Sequence, residues 1–297
     1  MSNPQLWLPA DYQLLDFGQG RKLERFGLIV LDRPCPAAEH KRPAAAERWE
    51  LADVRIGSAD EPQQLRQPPP ADWQVAYERV TLQLRLTAFG HVGLFPEHAL
   101  NWRWLADRNP AEVIAQHLNP PRALNLFAYT GGATLHLASR GWEVVHVDAA
   151  APSVAWARVN AQISGLAAAP IRWIVDDARA FVARELRRGQ RYDAILLDPP
   201  SYGHGPNGRK TWQIERDLTP LLADCAQLLT PEKSGCLVLT GHSEGIDGDS
   251  IDLPKLFYEV GRPLTGLESG RLSLQDVAGR KLDCGWFARA ISTRRAS

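Results

Sequence analysis

Residues 123–148 read ALNLFAYTGGATLHLASRGWEVVHVD, and this stretch decides the fold. Its first part, Ala123–Phe127, is a short apolar run that predicts a buried strand, and the glycines that follow predict a turn. Gly132–Ser139 is predicted to be a helix and Glu143–Val147 a second strand. A strand, a turn, a helix and another strand in this order are typical of a parallel sheet covered by helices.

The same alternation continues toward the carboxyl end of the chain. The predicted strands are Ile171–Val175, Tyr192–Leu197 and Gly235–Thr240, and the predicted helices are Ser153–Ile163, Arg179–Arg187 and Arg216–Leu229. We therefore predict an α/β fold with a Rossmann-like, mostly parallel sheet. Ligands of such sheets bind beyond the carboxyl ends of the strands, near the point where the strand order reverses.

The amino-terminal residues 1–94 follow a different pattern, which predicts a small β-rich module. Its predicted strands are Tyr12–Phe17, Leu28–Leu31 and Val80–Leu86, separated by loop-like stretches at Pro34–Ala46 and Asp60–Asp72. Apolar and polar residues alternate in the last strand, as expected when one face is buried. We predict two domains: a candidate substrate-docking module over residues 1–94, and the α/β domain over residues 95–297, which starts with helical residues Leu100–Leu118.

Composition limits the class of protein. The 297 residues include 34 Lys and Arg against 34 Asp and Glu, a balance that argues against a protein that coats nucleic acid. A local basic groove remains compatible with it. We find neither a leader-like amino terminus nor an apolar run of roughly 18 residues, so we predict a cytoplasmic protein without a membrane partner. The four cysteines lie far apart without metal-ligand spacing and predict free thiols.

Two candidate ligand-binding features follow the first and second strands of the α/β domain. Gly131 and Gly132 let the backbone approach a ligand closely, and the following helix offers N–H groups to a carboxylate. Asp148 ends the second strand, where an acidic residue can accept hydrogen bonds from both hydroxyls of a ribose. A plain strand-to-helix turn and a helix N-cap are the structural alternatives for these two features.

Acidic residues also follow the third and fourth strands. Of Asp176 and Asp177, we favour Asp177 as an acceptor for an adenine amino group; the alternative is a cap for the helix that begins near Ala178. Asp198 is followed by two prolines, which fix the backbone and hold the Pro199 carbonyl beside it. This arrangement suits an enzyme that orients a planar amine or a base edge against a methyl donor, and a purely structural turn is the alternative.

Three runs of sequence carry a resemblance to a known family: NLFAYTGG at 125–132, VDDARAFV at 175–182 and LDPPSYG at 197–203. At this spacing they resemble the class I S-adenosylmethionine-dependent rRNA methyltransferase family, in particular the large-subunit rRNA cytosine-5 and guanine methyltransferases. The resemblance covers roughly residues 85–297. It extends to Gly90–His98, which is similar to the segment that those enzymes place over the methionine end of the cofactor.

The resemblance implies a Rossmann-like methyltransferase sheet with a late antiparallel strand, S-adenosylmethionine as the cofactor, and no metal. It implies that Gly131 and Gly132 contact the methionine part of the cofactor. Asp148 would then bind the ribose and Asp177 the adenine. Further cofactor contacts are assigned to Phe95, Tyr129, Thr130, Ala149, Ala178 and Asp198. The implied partner is rRNA or a ribosomal precursor, although residues 1–94 differ from the small RNA-binding domain of the cytosine-5 relatives.

The positions of the cysteines favour nitrogen over carbon as the acceptor atom. Methylation at cytosine carbon-5 normally needs a cysteine thiolate that adds to the ring. The cytosine-5 enzymes that the chain resembles carry this cysteine after the fifth strand or after the two prolines. Here residues 239–243 read LTGHS and Ser201 follows the prolines, while Cys236 and Cys284 fit packing roles. We therefore predict methylation of a base nitrogen.

The predicted catalytic residues are Asp198, Pro199, Ser201 and Tyr202. Asp198 and the Pro199 carbonyl can bond a base amino group or ring nitrogen, and Tyr202 either stacks on the base or packs in the loop. Gly203–Lys210 is predicted to be a mobile cover whose Arg209 and Lys210 contact phosphate. His242 is a candidate proton relay or an ordinary loop histidine.

Other functions stay open at this point. Cytosine-5 RNA methylation and methylation of a protein or small molecule are alternatives on the same scaffold. A nicotinamide-dependent dehydrogenase is disfavoured because residues 128–133 lack the G-x-G-x-x-G turn, and a non-catalytic RNA-binding module because the cofactor motifs are intact. Should Arg209 and Lys210 not bind RNA, the alternative basic groove contains Arg21, Lys22 and Arg25.

Overall fold

The computed structural model describes residues 11–57, 63–87, 90–108, 120–206, 211–231, 234–242 and 250–292. The chain forms two compact units, unit 1 with residues 1–100 and 272–284, and unit 2 with residues 101–271 and 285–297. We predicted one boundary after residue 94 because sequence patterns show local periodicity and not the long-range pairing of a late segment. The domain limits themselves stay a prediction. No helix among the described residues is both long and apolar enough to span a membrane.

A seven-stranded sheet contains the parallel strands of unit 2. Its strands are β8 (Arg122–Leu126), β9 (Glu143–Asp148), β10 (Ile171–Val175), β11 (Ala194–Leu197), β14 (Gly235–Gly241), β15 (Leu264–Gln275) and β16 (Lys281–Ser292). They are arranged in the order β10-β9-β8-β11-β14-β16-β15. The first five are parallel and β16 is antiparallel to β14. The prediction of a mostly parallel sheet with a late antiparallel strand is confirmed.

The helices of this part of the chain match the apolar periodicity of the sequence. They are α1 (Ala99–Arg108), α2 (Gly132–Ala138), α3 (Ala151–Ile163), α4 (Ala178–Arg187), α5 (Ile214–Leu228) and α6 (Leu253–Glu259). The apolar stripe of α5, with Leu218, Leu222 and Cys225, is buried in the main core. Of the predicted helical segment Leu100–Leu118, residues 109–118 lie outside the described residues.

Unit 1 is rich in β-structure. A five-stranded sheet contains β1 (Tyr12–Gly18), β2 (Arg21–Phe26), β3 (Ile29–Pro34), β4 (Val54–Arg55) and β5 (Gln64–Leu65), and a hairpin contains β6 (Gln74–Tyr77) and β7 (Val80–Gln83). The predicted strand Val80–Leu86 is shorter in the structure, but its alternating burial is confirmed. The predicted loop Pro34–Ala46 contains a short 3-10 helix at Pro36–Ala38.

Strand β2 was not predicted, because its charged residues interrupt the apolar pattern. Glu24 is fully buried, yet it accepts a hydrogen bond from the Tyr12 hydroxyl at 2.7 Å and pairs with Arg33 and Lys22. These partners hold the pKa of the Glu24 carboxyl at about 2, although burial alone would raise it. A buried charge with this many partners is compatible with a central strand.

Candidate cofactor and acceptor site

The four sequence motifs follow neighbouring parallel strands at the same level of the sheet. Leu126 at the end of β8 lies opposite Val147 of β9 and Leu197 of β11, and Val175 of β10 lies opposite Asp148. The four loops therefore leave the sheet side by side at its carboxyl edge. The chain continues from β8 to β9 and β10 on one side and then returns to β11 on the other, so the strand order reverses between β8 and β11.

The turn after β8 has an unusual backbone. Phe127 and Tyr129 have φ values of 56° and 49°, and Gly131 has a φ of 88°. Positive φ is uncommon for non-glycine residues, and residues held in such strained conformations cluster at active sites and ligand-binding sites. The turn is attached to the neighbouring strand, because Ala128 N–H donates to the Val147 carbonyl at 3.1 Å and Tyr129 N–H to Oδ2 of Asp148 at 2.8 Å.

Asp148 uses both carboxylate oxygens to organise this edge of the sheet. Oδ2 accepts the Tyr129 N–H and Oδ1 accepts the Ala150 N–H, both at 2.8 Å. Burial raises the pKa of Asp148, and these two hydrogen bonds act in the opposite direction. The N-cap of α3 is Ala150, so Asp148 is not the cap of that helix. Each carboxylate oxygen carries a second lone pair, so the group fits two ribose hydroxyls.

Glycine is required at the two positions of the turn for different structural reasons. Gly131 needs its left-handed φ, and a Cβ there would lie 3.1 Å from the Ala157 side chain. A Cβ on Gly132 would lie 2.6 Å from the Trp102 ring, so this glycine is required by packing. Thr130 between turn and helix is buried, and its carbonyl accepts a hydrogen bond from the Asn160 side chain at 2.9 Å. The assigned cofactor contacts of these residues stay predictions.

Asp177 caps helix α4, the structural alternative that the sequence left open. Its Oδ1 accepts the N–H groups of Arg179 and Ala180 at 3.0 and 3.1 Å, and its Oδ2 accepts from the Arg179 guanidinium at 2.8 Å. Burial opposes ionisation, but these bonds outweigh it and lower the pKa of Asp177. Ala178, the first helical residue, is buried. Binding of adenine by Asp177 stays a prediction that the remaining lone pair of Oδ2 permits.

The loop after β11 is fixed at both ends. The Thr240 hydroxyl donates to Oδ1 of Asp198 at 2.6 Å, and the Trp212 indole N–H donates to the Pro200 carbonyl at 2.6 Å. Ile214 N–H donates to the Ser201 carbonyl at 3.0 Å. No hydrogen bond within the described part of the chain involves the carbonyl of Pro199, which lies between these fixed points.

Tyr202 begins a short hairpin that was not predicted. Strand β12 (Tyr202–His204) pairs with β13 (Thr211–Gln213), so the predicted mobile cover begins as paired strand. The Tyr202 ring is 53% exposed, which disfavours a role in loop packing, and it lies edge-on to His204 at 5.2 Å. Arg209 and Lys210 lie outside the described residues.

Three further predicted site residues are Phe95 in unit 1 and Ala149 and His242 in unit 2. Phe95 is half-buried in unit 1, 5.2 Å from the His91 ring, and its role as a cofactor contact stays a prediction. Ala149 lies half-buried directly after Asp148, whereas His242 is exposed after β14, and its role as a proton relay also stays a prediction.

Sequence reasoning missed the residues that hold the motif loops. Thr240 and Trp212 were not singled out, nor was the buried series in which Asn125 donates to Thr134, and Thr134 bonds Nδ1 of His146, both at 2.9 Å. A polar residue at the end of the apolar run Gly235–Thr240 was the available signal for Thr240. No comparable signal in the sequence marks Trp212.

Comparison with known proteins identifies the class. The S-adenosylmethionine-dependent methyltransferase family matches residues 44–246, more than half of the chain. The chain therefore belongs to this family of S-adenosylmethionine-dependent methyltransferases, and the predicted fold and enzyme class are confirmed. The turn with positive φ and the Asp148 carboxylate fit such a cofactor.

The chain is similar to particular members of this class. It is 36% identical to the S-adenosylmethionine-dependent methyltransferase from Agrobacterium tumefaciens, with a TM-score of 0.83 over 95% of this chain and 90% of that one. A methyltransferase structure from Streptococcus mutans shares the fold at 15% identity, with a TM-score of 0.66 over 95% of this chain and 75% of that one.

Curated relatives are ribosomal RNA large subunit methyltransferases K/L. The protein from Shewanella baltica is 30% identical over 179 residues, which are 60% of this chain and 23% of the relative. The protein from Shewanella oneidensis is 29% identical over 179 residues, again 60% and 23%. The chain thus matches less than a quarter of the length of these relatives.

Proposed function

We propose that this chain methylates a base nitrogen of ribosomal RNA with S-adenosylmethionine as the methyl donor. The observation that carries the proposal is the fixed loop Asp198–Tyr202, which presents a carboxylate, a carbonyl and an exposed aromatic ring after β11. A carboxylate and a carbonyl are both acceptors for the N–H groups of a base. They can therefore orient an amino or ring nitrogen so that its lone pair points at the methyl group.

The donor supplies an activated methyl group on a sulfonium, so the protein needs to supply alignment and no metal. In this proposal Tyr129, Thr130, Gly131 and Gly132 contact the methionine end of the donor. Asp148 and Ala149 bind the ribose, and Asp177 and Ala178 the adenine. The Asp198 carboxylate and the Pro199 carbonyl accept hydrogen bonds from the N–H groups of the base. Tyr202 is the platform on which the base stacks, and Ser201 completes the loop.

The state of the cysteines supports nitrogen as the acceptor atom. All four cysteines are buried. Burial raises the pKa of the Cys236 thiol to about 11, and it also raises the thiol pKa of Cys35, Cys225 and Cys284. A thiol of this kind is neutral near pH 7 and is a poor nucleophile. The thiolate that carbon-5 methylation requires therefore has no candidate here.

The names of the Shewanella relatives support ribosomal RNA as the acceptor class. The alternative basic groove of unit 1 receives less support, because its three side chains already have partners within the unit. Arg21 pairs with Asp32, Lys22 with Glu24, and Arg25 donates to the Gln13 side chain. Arg209 and Lys210 thus remain the proposed phosphate contacts.

The proposal is tested on rRNA from cells with the wild-type gene, without it, and with Asp198→Ala. Mass spectrometry of the nucleosides should show one N-methylated nucleoside that disappears in the deletion and in the variant. Restoration by Asp198→Ala, or a change in 5-methylcytidine instead, would overturn the assignment. Unchanged nucleosides in the deletion strain would direct the search to a protein or small-molecule acceptor.

A further inference from the structure

The end of strand β14 places a buried hydroxyl against the acceptor loop. β14 runs parallel to β11, with Leu239 opposite Leu197, so the next residues, Thr240 and Asp198, lie side by side. The Thr240 side chain is 3% exposed in a strand whose sequence, GCLVLTG, is otherwise apolar. A buried hydroxyl is unfavourable unless it is hydrogen-bonded, so its bonding partner is informative.

The hydroxyl has one proton and two acceptors within reach. Oδ1 of Asp198 lies at 2.6 Å, and the carbonyl oxygen of Leu197 lies at 3.3 Å. A distance of 2.6 Å is typical of a hydroxyl that donates to an ionised carboxylate. The proton is therefore donated to Asp198, and the longer contact is secondary.

The Thr240 hydroxyl, which donates this hydrogen bond, is held rigidly. A threonine side chain has restricted rotation about χ1, and burial restricts it further. The following residue, Gly241, packs against the Trp286 ring so tightly that a Cβ there would lie 2.5 Å from it. The backbone at Thr240 is also paired to Phe287 of β16. A rigid donor fixes the rotation of the Asp198 carboxylate and with it the direction of the second oxygen.

We propose that Thr240 is a positioning residue that orients the Asp198 carboxylate for the acceptor N–H. This rests on the proposed role of Asp198. Because this hydrogen bond exists before the substrate binds, the carboxylate need not reorganise during the reaction. Such alignment in advance accelerates methyl transfer. The effect should therefore appear in kcat, whereas the affinity for the methyl donor should be unaffected.

The test compares Thr240→Val, which keeps the shape and removes the hydroxyl, with Thr240→Ser, which keeps the hydroxyl. Methylation of rRNA from a deletion strain is measured with radiolabelled donor, and calorimetry gives the affinity for S-adenosylhomocysteine. We expect kcat to fall about 10-fold or more in Thr240→Val and by less than about threefold in Thr240→Ser. The calorimetric affinity should stay within about threefold in both. Val238→Ala, which creates a cavity two residues earlier in β14, controls for loss of stability and should keep kcat within about threefold.

A double-mutant cycle separates this inference from the proposed function. If Thr240 acts through Asp198, Thr240→Val should have no further effect in the Asp198→Ala background. An additional loss there, or wild-type kcat in Thr240→Val while Asp198→Ala is impaired, overturns the role of Thr240 and leaves the proposed function intact. Normal kcat in Asp198→Ala overturns the role of Asp198 itself.

Crystal structures of the wild type, Thr240→Val and Thr240→Ser give a readout that needs no acceptor. The Asp198 carboxylate should rotate away in Thr240→Val and keep its orientation in Thr240→Ser. An unchanged carboxylate in Thr240→Val contradicts the inference even if ribosomal RNA is not the substrate. If Thr240→Val does not fold, Thr240→Ala serves in its place for all three measurements.

Discussion

The backbone N–H of Tyr129 donates to Oδ2 of Asp148 at 2.8 Å, which links the turn after β8 to the end of β9. The same carboxylate accepts the Ala150 N–H through Oδ1. One side chain therefore sets the distance between the two loops that are proposed to hold the methionine and ribose parts of the donor.

Asp148→Ala should weaken binding of S-adenosylmethionine and S-adenosylhomocysteine by about 10- to 150-fold. This corresponds to about 1.5–3 kcal/mol for a lost charge-assisted hydrogen bond. Calorimetry with both proteins measures it. Glu143→Gln, a change of the carboxylate at the other end of the same strand, is the matched control and should bind normally. Equal affinities for wild type and Asp148→Ala would remove Asp148 from the site.

Trp212→Phe should lower kcat about 10-fold with little change in donor affinity. The change removes the indole N–H that donates to the Pro200 carbonyl. It keeps an aromatic ring against Phe127, whose ring centroid lies 4.9 Å from that of Trp212 in the structure. A less rigid acceptor loop loses alignment. Steady-state kinetics measure the effect, with Trp142→Phe in the buried core as the control for the loss of an indole. A normal kcat would show that Trp212 only packs.

The buried histidines should make stability depend on pH below neutrality. Burial and, to a smaller extent, the positive charge of Arg158 lower the pKa of His146 from 6.5 to about 3. Between pH 6.5 and about pH 3, His146 is protonated in the unfolded chain but not in the folded chain. The free energy of unfolding therefore falls as the pH falls from 6.5 toward 3. His136, also lowered to about 3, acts in the same direction.

His146→Gln should reduce this slope by up to about 1.4 kcal/mol per pH unit, the value for one proton. Urea unfolding of wild type and variant between pH 7 and about pH 4 measures both slopes. The slope and not the absolute stability is the readout, because the variant also alters the hydrogen bond to Thr134. Identical slopes would show that His146 takes up a proton in the folded protein.

Replacement of all four cysteines by Ala should preserve methyltransferase activity, provided that the protein folds. Nitrogen methylation needs no covalent adduct, and each thiol is buried with a raised pKa. The wild type should also form no denaturant-resistant complex with RNA that contains 5-fluorocytosine. Formation of such a complex, and its loss in a variant of only Cys236 or Cys284, would establish the cytosine-5 alternative.

The sequence predicts the α/β core well because strands and helices there have clear apolar periodicity. Ile171–Val175 is the predicted strand residue for residue, Asp148 ends its strand and Asp198 follows its own, as expected. Asp177 could not be decided locally, since a helix cap and a ligand-binding carboxylate occupy the same position. Its bonds to Arg179 and Ala180 show the cap only in the structure.

The contacts that orient the site could not be predicted, because they join residues far apart in the chain. Thr240 and Asp198 are 42 residues apart, and their hydrogen bond depends on the neighbouring positions of β14 and β11 in the sheet. Strand order is not encoded in local periodicity. The β12–β13 hairpin was missed for a related reason, since its three-residue strands are too short to show alternation.

The most direct test of nitrogen methylation is a reaction in vitro with rRNA from a deletion strain and donor that carries a deuterated methyl group. Nucleosides of the product are then separated and identified by mass spectrometry. We predict that the wild type places the label in one N-methylated nucleoside, and that Asp198→Ala reduces this labelling about 100-fold or more. Label in 5-methylcytidine, or equal labelling by the variant, would contradict it.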